Sequence, residues 1–478
     1  MVLALLGQSC GEDPVERRPN IVMIVMDTFR YDHLGCYGYG RDTSPNLDAF
    51  AAEGIRFSQA IAQASWTLAN AASYFTGQYV PTHRVYTAQH KLHPSAVTLA
   101  EALRAHGYRT GGFTGGFHIS SIYGIDQGFD IYEDQPDYGR LSDVLPKARR
   151  WIGEGEDEPF FLFVQAYDTH APFRLEEQWA TKFTAAGYEG VLNDFEIDHT
   201  LGDNLQDGIL TADDGNVYTL EKKDIDYIVA LYDGAVARAD ARIGVFLEHL
   251  ERLGLIDDTV FIIMGDHGEA LLEHGHLLKS RHGDSYEEGI HVPLMMWIPT
   301  SLRDSLTSYG GSTVIDTQVQ LIDLMPTILD WLDIRIPAEC QGSSLVPLLE
   351  GSASDEFNRH VFSSGGTGGS RRELCIRSSE WKLLRFRDAA DAWGFRDELY
   401  HLISDPEEQQ NLFDDRPDIV SALGEKLDAW DRRVREAAIA EELVDPDLGA
   451  LMRERMRERG YWWLETEKPV RREEEERE

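Results

Sequence analysis

Two short apolar, β-branched runs in this chain end in metal-binding side chains. Asn20-Ile-Val-Met-Ile-Val-Met26 delivers Asp27, followed by Thr28, and Phe261-Ile-Ile-Met-Gly265 delivers Asp266 and His267 side by side. Such runs read as buried strands, and open α/β folds keep their chemistry at the carboxyl edge of the sheet. Two strands ending in oxygen and nitrogen ligands predict one shared metal site, which makes an enzyme the leading expectation. A lone acid after a strand is commonly just the N-cap of the next element. That reading serves poorly for Asp27 and Asp266 together, with His267 and Gly268 attached.

The rest of the chain fits this frame. From Asn20 onward apolar strands alternate with amphipathic helices, which predicts a large, mostly parallel sheet with helices on both faces. Helices are expected from Ser44-Pro45 to Glu53, over Thr98–His106, over Asp224–Leu253 and over Ile322–Leu332, and strands over Tyr108–Phe113, Phe160–Ala166 and Val292–Ile298. After Gly351 the rhythm changes. Glu373–Phe386 and Glu398–Ile403 read as antiparallel strands, and Asp418–Arg435 as an amphipathic helix over one sheet face. The expected division is a leader and linker (1–17), a catalytic domain (18–352), a small C-terminal α+β subdomain (353–445) and a charged tail (446–478).

Charge narrows the choice of partner. With 83 acids against 45 Lys and Arg, the formal net charge is −38. That field repels nucleic acid, anionic lipid and long sulfated polymers unless a cationic pocket overrides it. The acid-rich stretch from Glu189 to Asp214 is expected to be an exposed insertion, with calcium binding as the alternative. The four cysteines, at 10, 36, 340 and 375, show neither a CxxC zinc spacing nor a disulfide framework. Cys10 follows a short apolar run and small residues and precedes a polar linker, a setting similar to the end of a bacterial lipoprotein signal peptide. A lipid anchor at Cys10 and a periplasmic or cell-envelope location are therefore expected, with a cytoplasmic N-terminus as the alternative. No other run is long enough to span a bilayer.

Leu68–Thr76 reads as a compact helix closed by Gly77, with Thr67 at its N-cap. Thr67 is then either a simple cap or a hydroxyl nucleophile held against the metal, where the helix dipole favours an incoming anion.

Separated motifs in order tip that balance. Pro19 to Gly38, Thr43-Ser-Pro-Asn-Leu-Asp48, Trp66 to Gly77, Gly107-Tyr-Arg-Thr110, Asp168-Thr-His170-Ala-Pro172, Gly265-Asp-His-Gly-Glu269, Tyr286-Glu-Glu-Gly-Ile-His-Val-Pro293 and Glu398 to Pro406 together resemble the sulfatase-like branch of the alkaline phosphatase superfamily. The resemblance covers roughly residues 18 to 440. It implies an alkaline-phosphatase-like α/β sandwich plus a small C-terminal α+β domain with an antiparallel sheet. One departure stands out. In sulfatases the Cys or Ser heading a C/S-x-P-S-R motif is oxidised to formylglycine, whereas this chain has Thr67 there and Ala69, Asn70 and Ala71 in place of Pro, Ser and Arg. A secondary alcohol cannot yield that aldehyde.

In the phosphorus-handling relatives a metal-bound Thr is a recurring nucleophile, and Asp27, Thr67, Asp266 and His267 map onto their single-metal quartet. The resemblance thus implies one divalent ion. Thr28 in place of a second Asp, together with His267, favours manganese or zinc, with calcium as the family's other habit. It further implies that His170 contacts the substrate oxyanion or protonates the leaving group. Lys279 and His282 are expected to supply charge or a proton to the leaving oxygen. His118 lies near the family's Lys-x-His pair but lacks the Lys, and His274 and His276 read as rim or loop residues. The expected activity is hydrolysis of a small anionic ester, with a phosphodiester or phosphonate monoester favoured. Sulfate ester hydrolysis without formylglycine, a catalytically inactive anion-binding homologue and a cell-surface transferase are the alternatives.

Overall fold

The computed structural model describes residues 18–155, 158–212, 214–278, 285–299, 313–351, 359–364, 373–386 and 396–448, with single positions up to 454. Eight strands build the main path of its large sheet: β1 (Asn20–Met26), β2 (Ile55–Ile61), β3 (Arg109–Thr114), β4 (Ile131–Glu133), β5 (Phe160–Ala166), β6 (Thr259–Gly265), β7 (His291–Trp297) and β8 (Thr313–Ile315). Their order is β8-β2-β7-β6-β1-β5-β3-β4, and Val319–Gln320 also pairs with β2. The central block β6-β1-β5-β3-β4 is parallel. β7 runs antiparallel to both β6 and β2, so the sheet is mixed on that side.

Every residue of β1, β5, β6 and β7 is buried, which explains why these runs are mainly apolar rather than alternating. Alternation survives as a choice of face. Ile21, Met23 and Val25 join one core cluster, and Val22, Ile24 and Met26 join the other. Helix α1 (Thr67–Thr76) packs Leu68, Ala71, Ala72 and Phe75 into the first cluster. Helix α2 (Lys222–Arg252) lays Ile228, Val236, Ile243 and Leu250 on the second.

The stretch between Glu189 and Asp214, expected to be an exposed insertion, exposes Glu189, Asp194, Glu196 and Asp207 but also buries apolar residues between them. It forms short turns and part of a three-stranded sheet, and Leu192, Ile197, Leu201, Leu205 and Leu210 are buried in the cluster beneath α2. The apolar residues spaced among the acids anchor it.

After residue 351 a four-stranded antiparallel sheet forms from Val361–Ser363, Glu373–Arg377, Trp381–Phe386 and Glu398–His401. Helix α3 (Pro417–Glu436) covers one face, setting Leu423, Leu427, Trp430 and Val434 against Leu374, Ile376, Leu383 and Leu399. The chain then returns to the larger sheet's lobe, where Leu443–Val444 pairs with His90–Lys91. A buried charge network joins the lobes as well. Lys382 lies 2.8 Å from Glu408 and 3.2 Å from Glu287, and Arg377 bonds Glu287 through Nε and Nη2.

Candidate active site

Register brings the two acids together. β1 and β6 pair in parallel with Met26 opposite Gly265, so the next residue of each strand, Asp27 and Asp266, emerges at the same sheet edge. The ladder runs slightly past the strands: Asp27 N donates to Ala166 O at 3.1 Å, and Asp266 N to Met26 O at 3.3 Å. Thr28 then turns the chain away in the left-handed region at φ 54°. Its hydroxyl and that of Thr169 both donate to the Asp27 carbonyl.

His267 is set by its own neighbours. Its backbone N–H donates to Asp266 Oδ1 at 2.8 Å, and its Nδ1 meets the Gly268 carbonyl at 2.8 Å. A carbonyl only accepts, so Nδ1 carries the proton and Nε2 presents a lone pair. That nitrogen lies 3.7 Å from Asp27 Oδ1 and 3.9 Å from Asp266 Oδ2. The Thr67 hydroxyl completes the group, donating to Asp27 Oδ2 at 2.9 Å and standing 3.3 Å from His267 Nε2. The N-cap of α1 is Trp66, not Thr67, which is the first helical residue. The cap reading is therefore corrected: the Thr67 side chain serves Asp27.

These residues fit a divalent cation. Among the described residues, Asp27 Oδ1 and Asp266 Oδ2 are buried with no hydrogen-bond partner. One ligand atom each from Asp27, Asp266 and His267 can lie within 4.8 Å of one another. Two such oxygens facing an imidazole lone pair cost several kcal/mol without a positive charge between them, on the order of 1–3 kcal/mol per unsatisfied group and more when charged. Burial, then repulsion from Asp266, lifts Asp27 to about 6, and burial lifts Asp266 to about 7.

Other residues fall into place around this group. Asp168 anchors its loop, accepting from Leu141 N and from Arg242 at 2.5 Å. His170 meets the Ala171 carbonyl through Nδ1, and burial lowers its pKa against the partial offset of Asp27. His118 is buried at the edge of Trp66, 5.0 Å between rings, and burial pushes it down to about 3. His274 belongs elsewhere: it bonds Glu288 at 2.6 Å and the Glu408 carbonyl at 3.1 Å. Lys279 and His282 lie outside the described residues.

Gln165 escaped the sequence reading. Its amide approaches Asp27 Oδ2 at 3.4 Å, and its Oε1 has no partner among the described residues. The available signal was a lone amide in the otherwise apolar strand Phe160–Ala166.

The helix explains its own departure from the formylglycine motif. Asn70 accepts from the N–H groups of Gln63 and Ala64 and donates to the Ala64 carbonyl, so its side chain is committed to the loop before the helix. Ala71 is fully buried in the core and leaves no place for an arginine.

A family profile described as Sulfatase matches residues 19–334. The chain belongs to the sulfatase family. A second profile, N-sulphoglucosamine sulphohydrolase, C-terminal, matches residues 273–433. Among its relatives, this sulfatase-family chain is 25% identical to the N-acetylglucosamine-6-O-sulfatase of Bacteroides thetaiotaomicron, over 86% of each chain. It is also 25% identical to human arylsulfatase K, over 89% of this chain and 85% of that one. The phosphonate monoester hydrolase of Agrobacterium radiobacter shares the fold, with a TM-score of 0.68 at 22% identity over 87% of this chain and 96% of that one. The protein is a sulfatase-like ester hydrolase with a mixed, mostly parallel sheet and a small antiparallel C-terminal region.

Proposed function

We propose that this sulfatase-family hydrolase attacks phosphonate monoesters or phosphodiesters with Thr67, at a single divalent ion held by Asp27, Asp266, His267 and the Thr67 oxygen. The observation that carries the reading is the Thr67 hydroxyl, 2.9 Å from the Asp27 carboxylate on a helix with no room for the formylglycine motif's arginine. A divalent ion so bound would neutralise the ester's anionic oxygens and favour the ionised hydroxyl, and the mixed oxygen and nitrogen donor set suits manganese or zinc ahead of calcium.

The chain's own residues supply the rest. The Thr67 proton already has an acceptor at Asp27 Oδ2. As the Thr67 O–P bond forms, the bond from phosphorus to the leaving oxygen breaks, and the leaving oxygen takes a proton. His170, Lys279 and His282 are the proposed proton or charge donors. Water then cleaves the phosphothreonine and restores the hydroxyl. The preferred substrate is a small anionic ester rather than nucleic acid, in keeping with the net charge of −38. The apolar run before Cys10 supports an envelope location with a lipid anchor. Among the described residues no helix is long and apolar enough to cross a membrane.

Sulfate ester hydrolysis is the second reading, favoured by the sulfatase names of both curated relatives. Turnover of matched aryl sulfate, phosphodiester and phosphonate esters separates the two, together with intact-mass analysis under a slow phosphorus ester. A phosphoryl or phosphonyl adduct on Thr67 is expected. Turnover of the sulfate alone overturns the phosphorus reading, and a protein that binds no divalent ion overturns catalysis altogether.

A further inference from the structure

Helix α2 buries a stripe made of Ile228, Tyr232, Val236, Ala239 and Ile243, and only Tyr232 brings a polar side-chain atom to it. Phenylalanine would fill the same space. The tyrosine has no exposed surface, and a buried hydroxyl costs free energy unless it is hydrogen-bonded. Here both of its roles are used. Tyr232 Oη donates to the Thr28 carbonyl at 2.7 Å and accepts from the Arg30 N–H at 2.9 Å.

These two bonds bracket the turn that follows Asp27. Thr28 sits at φ 54°, where a β-branched residue persists only when its surroundings hold it. Its hydroxyl is spent on the Asp27 carbonyl and its N–H faces the Asp266 carboxylate, so the Thr28 unit touches both acids. The ties continue outward from Tyr232. Arg30 Nη1 donates to the Glu269 carbonyl at 2.9 Å, two residues past His267. The Tyr232 ring meets Phe173 edge-on at 5.9 Å and 71°, three residues past His170. One side chain of α2 thus joins the turn after β1 to the turn after β6 and to the His170 loop.

We infer that Tyr232 is a positioning residue for the metal centre: its hydroxyl fixes the Thr28 turn and so holds Asp27 and Asp266 at ligand spacing. The inference rests on the metal site proposed above and adds the group that sets its geometry. Groups that orient ligands from behind govern affinity for the ion, which gives a readout apart from turnover.

Mn²⁺ alone is titrated calorimetrically into metal-free full-length parent, Tyr232→Phe and Tyr108→Phe. Tyr108 is the control, because its buried hydroxyl donates to the Pro19 carbonyl at 3.1 Å, at the opposite end of β1 from Asp27. Tyr232→Phe is expected to raise the Mn²⁺ Kd about tenfold, and Tyr108→Phe to leave it unchanged. Thermal melts of the metal-free proteins report folding. In a Thr28→Gly background, where glycine takes the left-handed turn without strain, Tyr232→Phe should cost less affinity than in the parent but more than Tyr108→Phe does. That pair carries the test by itself if Tyr232→Phe alone does not fold. Parent-like affinity of Tyr232→Phe overturns the positioning role and spares the metal site. An equal loss in Tyr108→Phe does the same, as does an undiminished or absent loss in the Thr28→Gly background. A parent that binds no Mn²⁺ overturns both.

Discussion

The Thr67 hydroxyl gives its proton to Asp27, 40 residues earlier, at 2.9 Å and makes no capping bond to its own helix. Removing it should therefore harm chemistry far more than folding. Thr67→Ala is expected to lower kcat/KM on the best ester by on the order of 10³-fold or more. The unfolding free energy should move by no more than about 1 kcal/mol, because no cap is lost. Thr67→Ser should keep measurable activity. Steady-state kinetics paired with urea unfolding gives both numbers, and a large stability loss with modest kinetic loss would contradict the assignment.

Restoring the missing arginine should fail. Ala71 has no exposed surface and packs in the main core, so Ala71→Arg forces a long cation into filled apolar space. A loss of about 3 kcal/mol or more is expected from overpacking and an unpaired buried charge. The denaturant midpoint reports it. A stable variant with improved sulfate ester turnover would show that the helix tolerates the residue after all.

The lobes share a buried cation. Burial opposes the charge on Lys382, but Glu408 and Glu287 outweigh it and raise its pKa. Lys382→Met leaves the buried Glu408 carboxylate without its cation, while Glu287 keeps Arg377, and is expected to cost about 3–5 kcal/mol. Adding Glu408→Leu should recover part of that loss, since one stranded carboxylate goes with it. Urea unfolding of the single and double variants closes the cycle.

His274 gives the fold a pH-dependent clamp. Burial opposes its protonation, but the hydrogen bond and charge of Glu288, with the Glu408 carbonyl, lift it from 6.5 to about 9. A base whose pKa rises on folding stabilises the protonated fold. The contribution is complete below pH 6.5 and fades as pH climbs through 9. On the order of 3 kcal/mol is at stake. His274→Gln should differ most from the parent at pH 6 and approach it near pH 10, as read from unfolding free energies across that range.

Much of this architecture was legible because burial on two faces leaves a distinct mark. The apolar runs of β1, β5 and β6 could be read as strands, and the acids after β1 and β6 as residues that meet at one sheet edge. Strand direction could not. His291–Trp297 is as apolar as its parallel neighbours, and nothing in a fully buried run tells which way it lies. Thr67 misled by position: a hydroxyl before an apolar helical run looks like a cap until the partner strand is seen. Gln165 left only a single amide as its trace. The buried apolar residues between Glu189 and Asp214 were outvoted by the surrounding acids, although four leucines and Ile197 carry the packing.

Asn70 holds the loop before α1 with three hydrogen bonds, and Ala71 seals the core beneath it. A threonine oxygen in that setting needs no tailoring enzyme. On the proposed Thr67 reading the nucleophile is complete as translated, so activity from different expression hosts should follow metal loading and not a maturation enzyme.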